Sequence, residues 1–253
     1  MTNANPIAPA VAVAHRRRVA NPSETQPGAV VLLHGMGRTG ISMRAIAAAL
    51  RGAGIPTLSP WYGLRRSMPE IIEYLRPRIT AFAAAHSGPL HIVTHSLGGL
   101  VARAYITAHR PAALGRVVML APPNAGSELA DLVFSLGLDN LIFGPVGPHL
   151  RTVRSDEHEI QLGQVDFDLG IIAGDRPIDA IIAPRFFAAA NDGKISVEAT
   201  KLAGMADHIV LPVQHTFMVH DAAVIAQIRA YLETGAFTRE ALIPAITPGN
   251  RAS

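Results

Sequence analysis

Apolar residues follow two rhythms along this chain, and the rhythms alternate. Val30-Val31-Leu32-Leu33 is an unbroken apolar run with β-branched members, the pattern of a strand buried on both faces. Met43, Ile46, Ala47 and Leu50 then recur at helical spacing over about 41–51, and Gly52 and Gly54 stop that helix. A short strand is expected at 55–59. Pro69 suits a first helical position, and Ile71, Ile72, Leu75, Ile79 and Phe82 carry the helix to about His86. Leu90, Ile92 and Val93 make another strand. Leu100, Val101, Ala104, Tyr105 and Ala108 form the helix after it, closed by Pro111. Strands are expected at 116–121, 169–173 and 209–213, and a closing helix at 222–232. This alternation predicts an α/β fold, a mostly parallel sheet with helices on both faces.

The rhythm breaks once. From Pro122 to about Asp166 no strand is predicted, whereas a connection between a strand and a helix normally takes about 2–6 residues. Leu129, Leu132, Val133 and Leu136 give this stretch one amphipathic helix over 127–138, followed by Leu141-Ile142-Phe143 and a Gly/Pro-rich piece. An insertion of this size at the carboxyl edge of a sheet reads as a short cap, about 123–166. Around it the chain divides into an N-terminal arm at 1–27, with a candidate strand over 11–19, a main domain at 28–234, and a tail at 235–253. No internal repeat is visible.

Composition narrows the classes. At 253 residues the chain is long enough for one full α/β core. With 22 Lys+Arg against 19 Asp+Glu the net charge is only +3, and the single dense basic run, His15-Arg16-Arg17-Arg18, reads as a solvated tail, so no nucleic-acid partner is expected. The absence of cysteine excludes a disulfide framework, a thiolate metal site and a cysteine nucleophile. No apolar stretch reaches about 18 residues, so no integral membrane segment is expected. The apolar residues at 7–14 precede the arginines, the reverse of a secretory signal, and a cytoplasmic location is the expectation. Nothing calls for a cofactor.

Chemistry concentrates where the third long apolar run ends, at Thr94-His95-Ser96-Leu97-Gly98-Gly99. A serine on a sharp strand-to-helix turn is the arrangement of the G-x-S-x-G nucleophile elbow, here with Thr94 in place of the first glycine. Gly98 fits because the helix start must pass close to the preceding strand. A serine hydroxyl needs a base, and the base needs an acid to hold its tautomer. In folds of this kind the chain order is serine, acid, histidine. His208, His215 and His220 are candidates for the base. His208 falls in the last strand and His220 lies a turn too far, which leaves His215 in Leu211-Pro212-Val213-Gln214-His215. Two aspartates compete for the acid. Asp175 directly follows a strand, and Asp192 sits in the turn Asn191-Asp192-Gly193; the residue pattern does not choose between them. The backbone N–H groups of Leu97, at a helix start, and Met36, after the first strand, suit an oxyanion hole. His34, Gly35 and His95 flank these positions and are expected to border the substrate.

Together VVLLHGMGR, THSLGGLVARAY, APPNAGSE, NDGKIS and LPVQHTFM resemble the bacterial lipase/esterase branch of the α/β-hydrolase superfamily, near the compact class 2 lipases and the PGAP1-like esterases. The matches spread over about 29–233. The resemblance implies a catalytic triad of Ser96, Asp192 and His215, because in that branch the acid lies in an N-D-G turn some two dozen residues before the base. Asp192 precedes His215 by 23 positions and Asp175 by 40. Phe217 stands where calcium-dependent relatives carry an aspartate, so calcium is not implied. The expected substrate is a small-molecule or lipid ester with a short-to-medium acyl chain. Acyl transfer or amide cleavage by the same three residues is the alternative; oligomeric state is left open.

Overall fold

The computed structural model describes residues 28–63, 65–177 and 190–239. The arm with its candidate strand over 11–19, and the tail from 240 onward, lie outside the described residues. Six strands form one sheet: β1 (Ala29–Leu33), β2 (Thr57–Leu58), β3 (Leu90–His95), β4 (Leu114–Leu120), β5 (Leu169–Gly174) and β6 (Asp207–Leu211). They lie in the order β2-β1-β3-β4-β5-β6, and every pair is parallel. The unbroken apolar runs of β1 and β3 are explained by this, since every residue of both strands is buried.

Alternate residues feed two cores. Val31, Leu33, Ile92, Met119 and Ile171 face the helices α2 (Met68–Ala84) and α3 (Leu97–His109). Val30, Leu32, Val93, Leu120 and Ile172 face α1 (Arg44–Gly52) and the C-terminal helix Ala222–Thr234. α1 and α2 follow the apolar spacing of one face, whereas α3 is buried on every side from Leu97 to Ile106; α2 is also started by a capping box, in which the Ser67 N–H donates to Glu70 Oε2 at 2.7 Å.

Several elements differ from expectation, and β4 begins two residues before 116. The strand expected at 55–59 shrinks to β2, two residues long, because the Ile55 N–H is taken by the Leu50 carbonyl at the end of α1. The last strand runs two residues earlier than 209–213, as Pro212 has no N–H for the ladder. The stretch after Ala121 holds more helix than its apolar pattern shows: α4 (Glu128–Ser135), α5 (Asp139–Ile142), a 3₁₀ stretch at Gly144–Leu150 and α6 (Asp156–Leu162). In α6 the sequence DEHEIQL has too few apolar residues to show a period; its start is a Ser155 cap and three acids in the first turn.

This inserted stretch is tied down by one arginine. The Arg154 guanidinium, only 3% exposed, donates to the carbonyls of His149 (2.6 Å), Asn124 (2.7 Å) and Pro123 (2.7 Å) and pairs with Glu159 at 2.9 Å. Arg154→Met leaves the His149 and Asn124 carbonyls and the Glu159 carboxylate without this donor, while Pro123 keeps only the Gly126 N–H. Loss of one partner from a buried charged network costs about 3–5 kcal/mol. Thermal unfolding is therefore expected at least about 6 °C lower, at roughly 2–4 °C per kcal/mol for a chain of this size, and a melt within 2 °C of the parent would refute the strap. The next two helices, α7 (Val197–Thr200) and α8 (Ala222–Thr234), complete the fold.

Candidate active site

Ser96, the His34–Met36 loop and Asp175 follow the carboxyl ends of β3, β1 and β5, and the chain reverses its direction of travel across the sheet between β1 and β3. Such a switch point leaves a crevice between the loops that follow the two strands. Ser96 follows β3 directly and has φ 55 and ψ −126, one of two non-glycine residues with positive φ among those described. Its N–H donates to the Leu120 carbonyl at 2.8 Å, and its own carbonyl takes the Gly99 N–H at 2.8 Å. Strain of this kind costs about 1–3 kcal/mol and persists only where the surroundings enforce it.

The surroundings do so through missing side chains. A Cβ on Gly98 would sit 2.4 Å from the Leu33 carbonyl oxygen, so only glycine lets α3 start this close to β1. A Cβ on Gly35 would lie 3.0 Å from the Ser96 Cβ and 3.1 Å from His95 Nδ1, which puts the loop after β1 directly over the serine. Ser96 itself is 9% exposed.

Asp192 and His215 are brought into contact. Asp192 is completely buried in the turn between β5 and α7, closed by the Asp192 N–H on the Ile195 carbonyl at 3.2 Å. Its Oδ1 accepts the N–H groups of Lys194 (3.0 Å) and Ile195 (2.8 Å), and its Oδ2 accepts Nδ1–H of His215 at 2.7 Å. Since a carboxylate only accepts, the proton belongs on Nδ1 and the lone pair on Nε2. The His215 N–H donates back to the Asp192 carbonyl at 3.0 Å. Gly174, the last residue of β5, allows the approach: a Cβ there would be 2.9 Å from the Asp192 Cβ.

Asp175 is exposed, with its backbone N–H on the Leu211 carbonyl at 3.2 Å, and has no contact with His215 among the described residues. His208 lies in β6 with Nε2 against the Thr200 hydroxyl at 3.0 Å, and His220 is exposed.

The flanking histidines face inward. His95 is 2% exposed and donates from Nε2 to the His215 carbonyl at 2.9 Å, with its ring 4.8 Å from the His215 ring. Burial holds it neutral, well below the usual histidine range, and its Nδ1 has no partner among the described residues. His34 is fully buried and stacked on Tyr62 at 4.0 Å, with Nε2 accepting the Tyr62 N–H at 3.3 Å; burial lowers its pKa as well. Tyr62 was not signalled by the sequence, because its partner is 28 residues away and no local pattern marks the pair.

The inserted stretch reaches this site through its first residues. Ser127 donates from its hydroxyl to the Lys194 carbonyl at 3.1 Å, and Asn124 donates to the Thr200 carbonyl at 2.8 Å. A cleft of about 460 Å³ bordered by Ile79, Tyr105 and Pro111 opens at the amino ends of the strands, the opposite edge, and holds none of these groups. No cluster of His, Asp or Glu suited to a metal occurs among the described residues, and no helix there is long and apolar enough to cross a membrane.

No family model matches the chain, and no curated protein matches it in sequence. Solved structures do match it. The mature lipase BlEst2 of Bacillus licheniformis superposes with a TM-score of 0.66 at 18% identity, over 84% of this chain and 93% of that one. The metagenomic carboxyl esterase MGS0156 gives 0.62 at 16% identity, over 76% of this chain and 65% of that one. The monoacylglycerol lipase of Paleococcus ferrophilus gives 0.51 at 17% identity, over 81% and 92%. At such identities the likeness is one of architecture, and it agrees with the all-parallel sheet flanked by helices: the chain has the α/β-hydrolase fold that these lipases and esterases share.

Proposed function

We propose that this protein is a serine hydrolase of carboxylic esters, with Ser96 as nucleophile, His215 as base and Asp192 as the acid that orients it. The observation that carries the reading is the buried pair of Asp192 Oδ2 and His215 Nδ1 at 2.7 Å; the serine at positive φ on a strand-to-helix corner, whose neighbour His95 bonds the His215 carbonyl, supports it. In the first step Ser96 Oγ attacks the ester carbonyl carbon and its proton passes to His215 Nε2. The oxygen that becomes negative is met by the N–H of Leu97, the first residue of α3, where the helix dipole adds to the attraction. The Met36 N–H, one residue past the glycine that lies over Ser96, is the second donor. Collapse of the intermediate expels the alcohol, which takes the proton from His215. Water then loses a proton to His215 and attacks the acyl carbonyl; the bond to Ser96 Oγ breaks, His215 returns the proton to Oγ, and the acid leaves.

Within this scheme His95 acts as a positioning residue, since it donates to the backbone carbonyl of the base. His95→Leu removes the donor to the His215 carbonyl. The loss of one such buried bond lowers kcat about tenfold with KM nearly unchanged, and His95→Gln, whose amide reaches a similar point, restores most of it. Equal losses in both variants would assign His95 to packing alone.

The proposal is tested with p-nitrophenyl esters of increasing acyl length and a fluorophosphonate probe. The expected results are an initial burst of p-nitrophenol, free acid as the product, a preference for short-to-medium chains, and a single covalent adduct on Ser96. Labelling at another residue would refute the assignment, and transfer of the acyl group to an added alcohol or amine in place of free acid would make the protein an acyltransferase.

A further inference from the structure

We propose that Arg38 and Lys194 form an anion subsite beside Ser96, and that the preferred substrate is an ester carrying a phosphate or carboxylate close to its scissile carbonyl. This rests on the ester-hydrolase reading and adds the substrate class to it.

Both side chains are carried by the loops that build the site. Arg38 ends the turn over Ser96, where its N–H meets the Gly35 carbonyl at 3.3 Å. Lys194 belongs to the turn that holds Asp192, its N–H on Oδ1 at 3.0 Å. Both are half-buried, yet among the described residues neither the guanidinium nor the ammonium has a hydrogen-bond or ion-pair partner. The other buried or half-buried cations do. Arg103 donates to the Gly163 carbonyl, Arg116 to Asp168, Arg154 to three carbonyls, and Arg66 lies over the Tyr74 ring at 4.7 Å. Two positive charges without a counter-charge among the described residues favour an anion beside them.

The two charges also feel each other. Burial pushes the Lys194 ammonium below the usual lysine range, and Arg38 pushes it further the same way. Asp192 opposes this, but both of its oxygens are already engaged. Both cations act on His95, the neighbour of the nucleophile, so their field extends to the reacting corner. An anionic group on the substrate supplies the missing counter-charge, with the guanidinium offering paired donors and the ammonium a point charge.

The test compares two matched substrate pairs at low ionic strength. One pair is 1-butyrylglycerol 3-phosphate against 1-butyrylglycerol; the other is 4-nitrophenyl hemisuccinate against 4-nitrophenyl butyrate. The anionic member of at least one pair is expected to have the higher kcat/KM by about tenfold, as for a charge-assisted hydrogen bond. Arg38→Gln and Lys194→Gln should each cut that ratio about tenfold, and about 0.5 M salt should compress it. Arg38→Lys and Lys194→Arg, which keep the charge, should retain most of it and stand in if either Gln variant does not fold. Preference for the phosphate pair or the carboxylate pair identifies the anion.

Ratios near one for both pairs overturn the subsite. So do variants that slow anionic and neutral esters by the same factor, which is what a structural role or a general effect on the oxyanion gives. Ser96→Ala separates the two levels: if it remains active on both members of a pair the hydrolase reading itself fails, and if it is inactive while the ratio does not move, only the subsite does.

Discussion

Ser96→Ala is expected to lower kcat by about 10⁶, the loss seen when the serine of such a triad is removed in other hydrolases. In the proposed mechanism the three groups act as a unit, which makes the effect this large: without the hydroxyl, Asp192 and His215 would have no nucleophile to activate. The fold should survive, since one hydroxyl is lost from a site already 9% exposed. Ser96→Gly adds a second reading of the same corner. Glycine accepts φ 55 without strain, so this variant is expected to be as inactive as Ser96→Ala but about 1 kcal/mol more stable than it, a melting point higher by roughly 2–4 °C. The pair of results separates the chemistry of the corner from the cost of building it. A residual rate within a hundredfold of the parent in both variants would mean that the reaction does not pass through Ser96.

Much of this architecture is legible in the chain because its signals are local. Strands buried on both faces must be apolar throughout, and Val30–Leu33 and the run at 90–93 have no other reading once helices follow them. The serine corner is legible for the same reason, as a strand, a serine, a glycine and a helix adjoin within a dozen residues. What escapes the sequence is held by distant partners. The choice between Asp175 and Asp192 could not be made from residue types, since both sit at ordinary turns. In space it is Asp192 that meets His215: Gly174 has no side chain to keep it away, and the His215 N–H donates to the Asp192 carbonyl. Arg154 and Tyr62 are invisible in the same way, because an arginine that holds three carbonyls reads in sequence like any solvated arginine. The missing helix α6 shows the converse, an element whose start is written in its cap and charges while its apolar period is too short to see.

Asp192→Asn is expected to lower kcat by about 10⁴ while leaving the fold in place, and the cause can be traced atom by atom. The Oδ1 side of the group accepts two backbone N–H donors, from Lys194 and Ile195. An asparagine must keep its oxygen there, because an amide NH₂ would face two donors with none to accept. The NH₂ is thereby forced onto the other side, against His215 Nδ1, where it can only donate. His215 must then carry its proton on Nε2, the nitrogen that has to receive the serine proton, and the base is blocked by the wrong tautomer. A loss of about 10⁴ is what the same exchange costs in a serine protease with this arrangement. Asp175→Asn is the matched control: exposed and without contact to His215, it should change kcat less than twofold. The reverse outcome, with Asp175→Asn the more damaging, would move the acid to the end of β5 and leave the buried 2.7 Å pair a structural contact only.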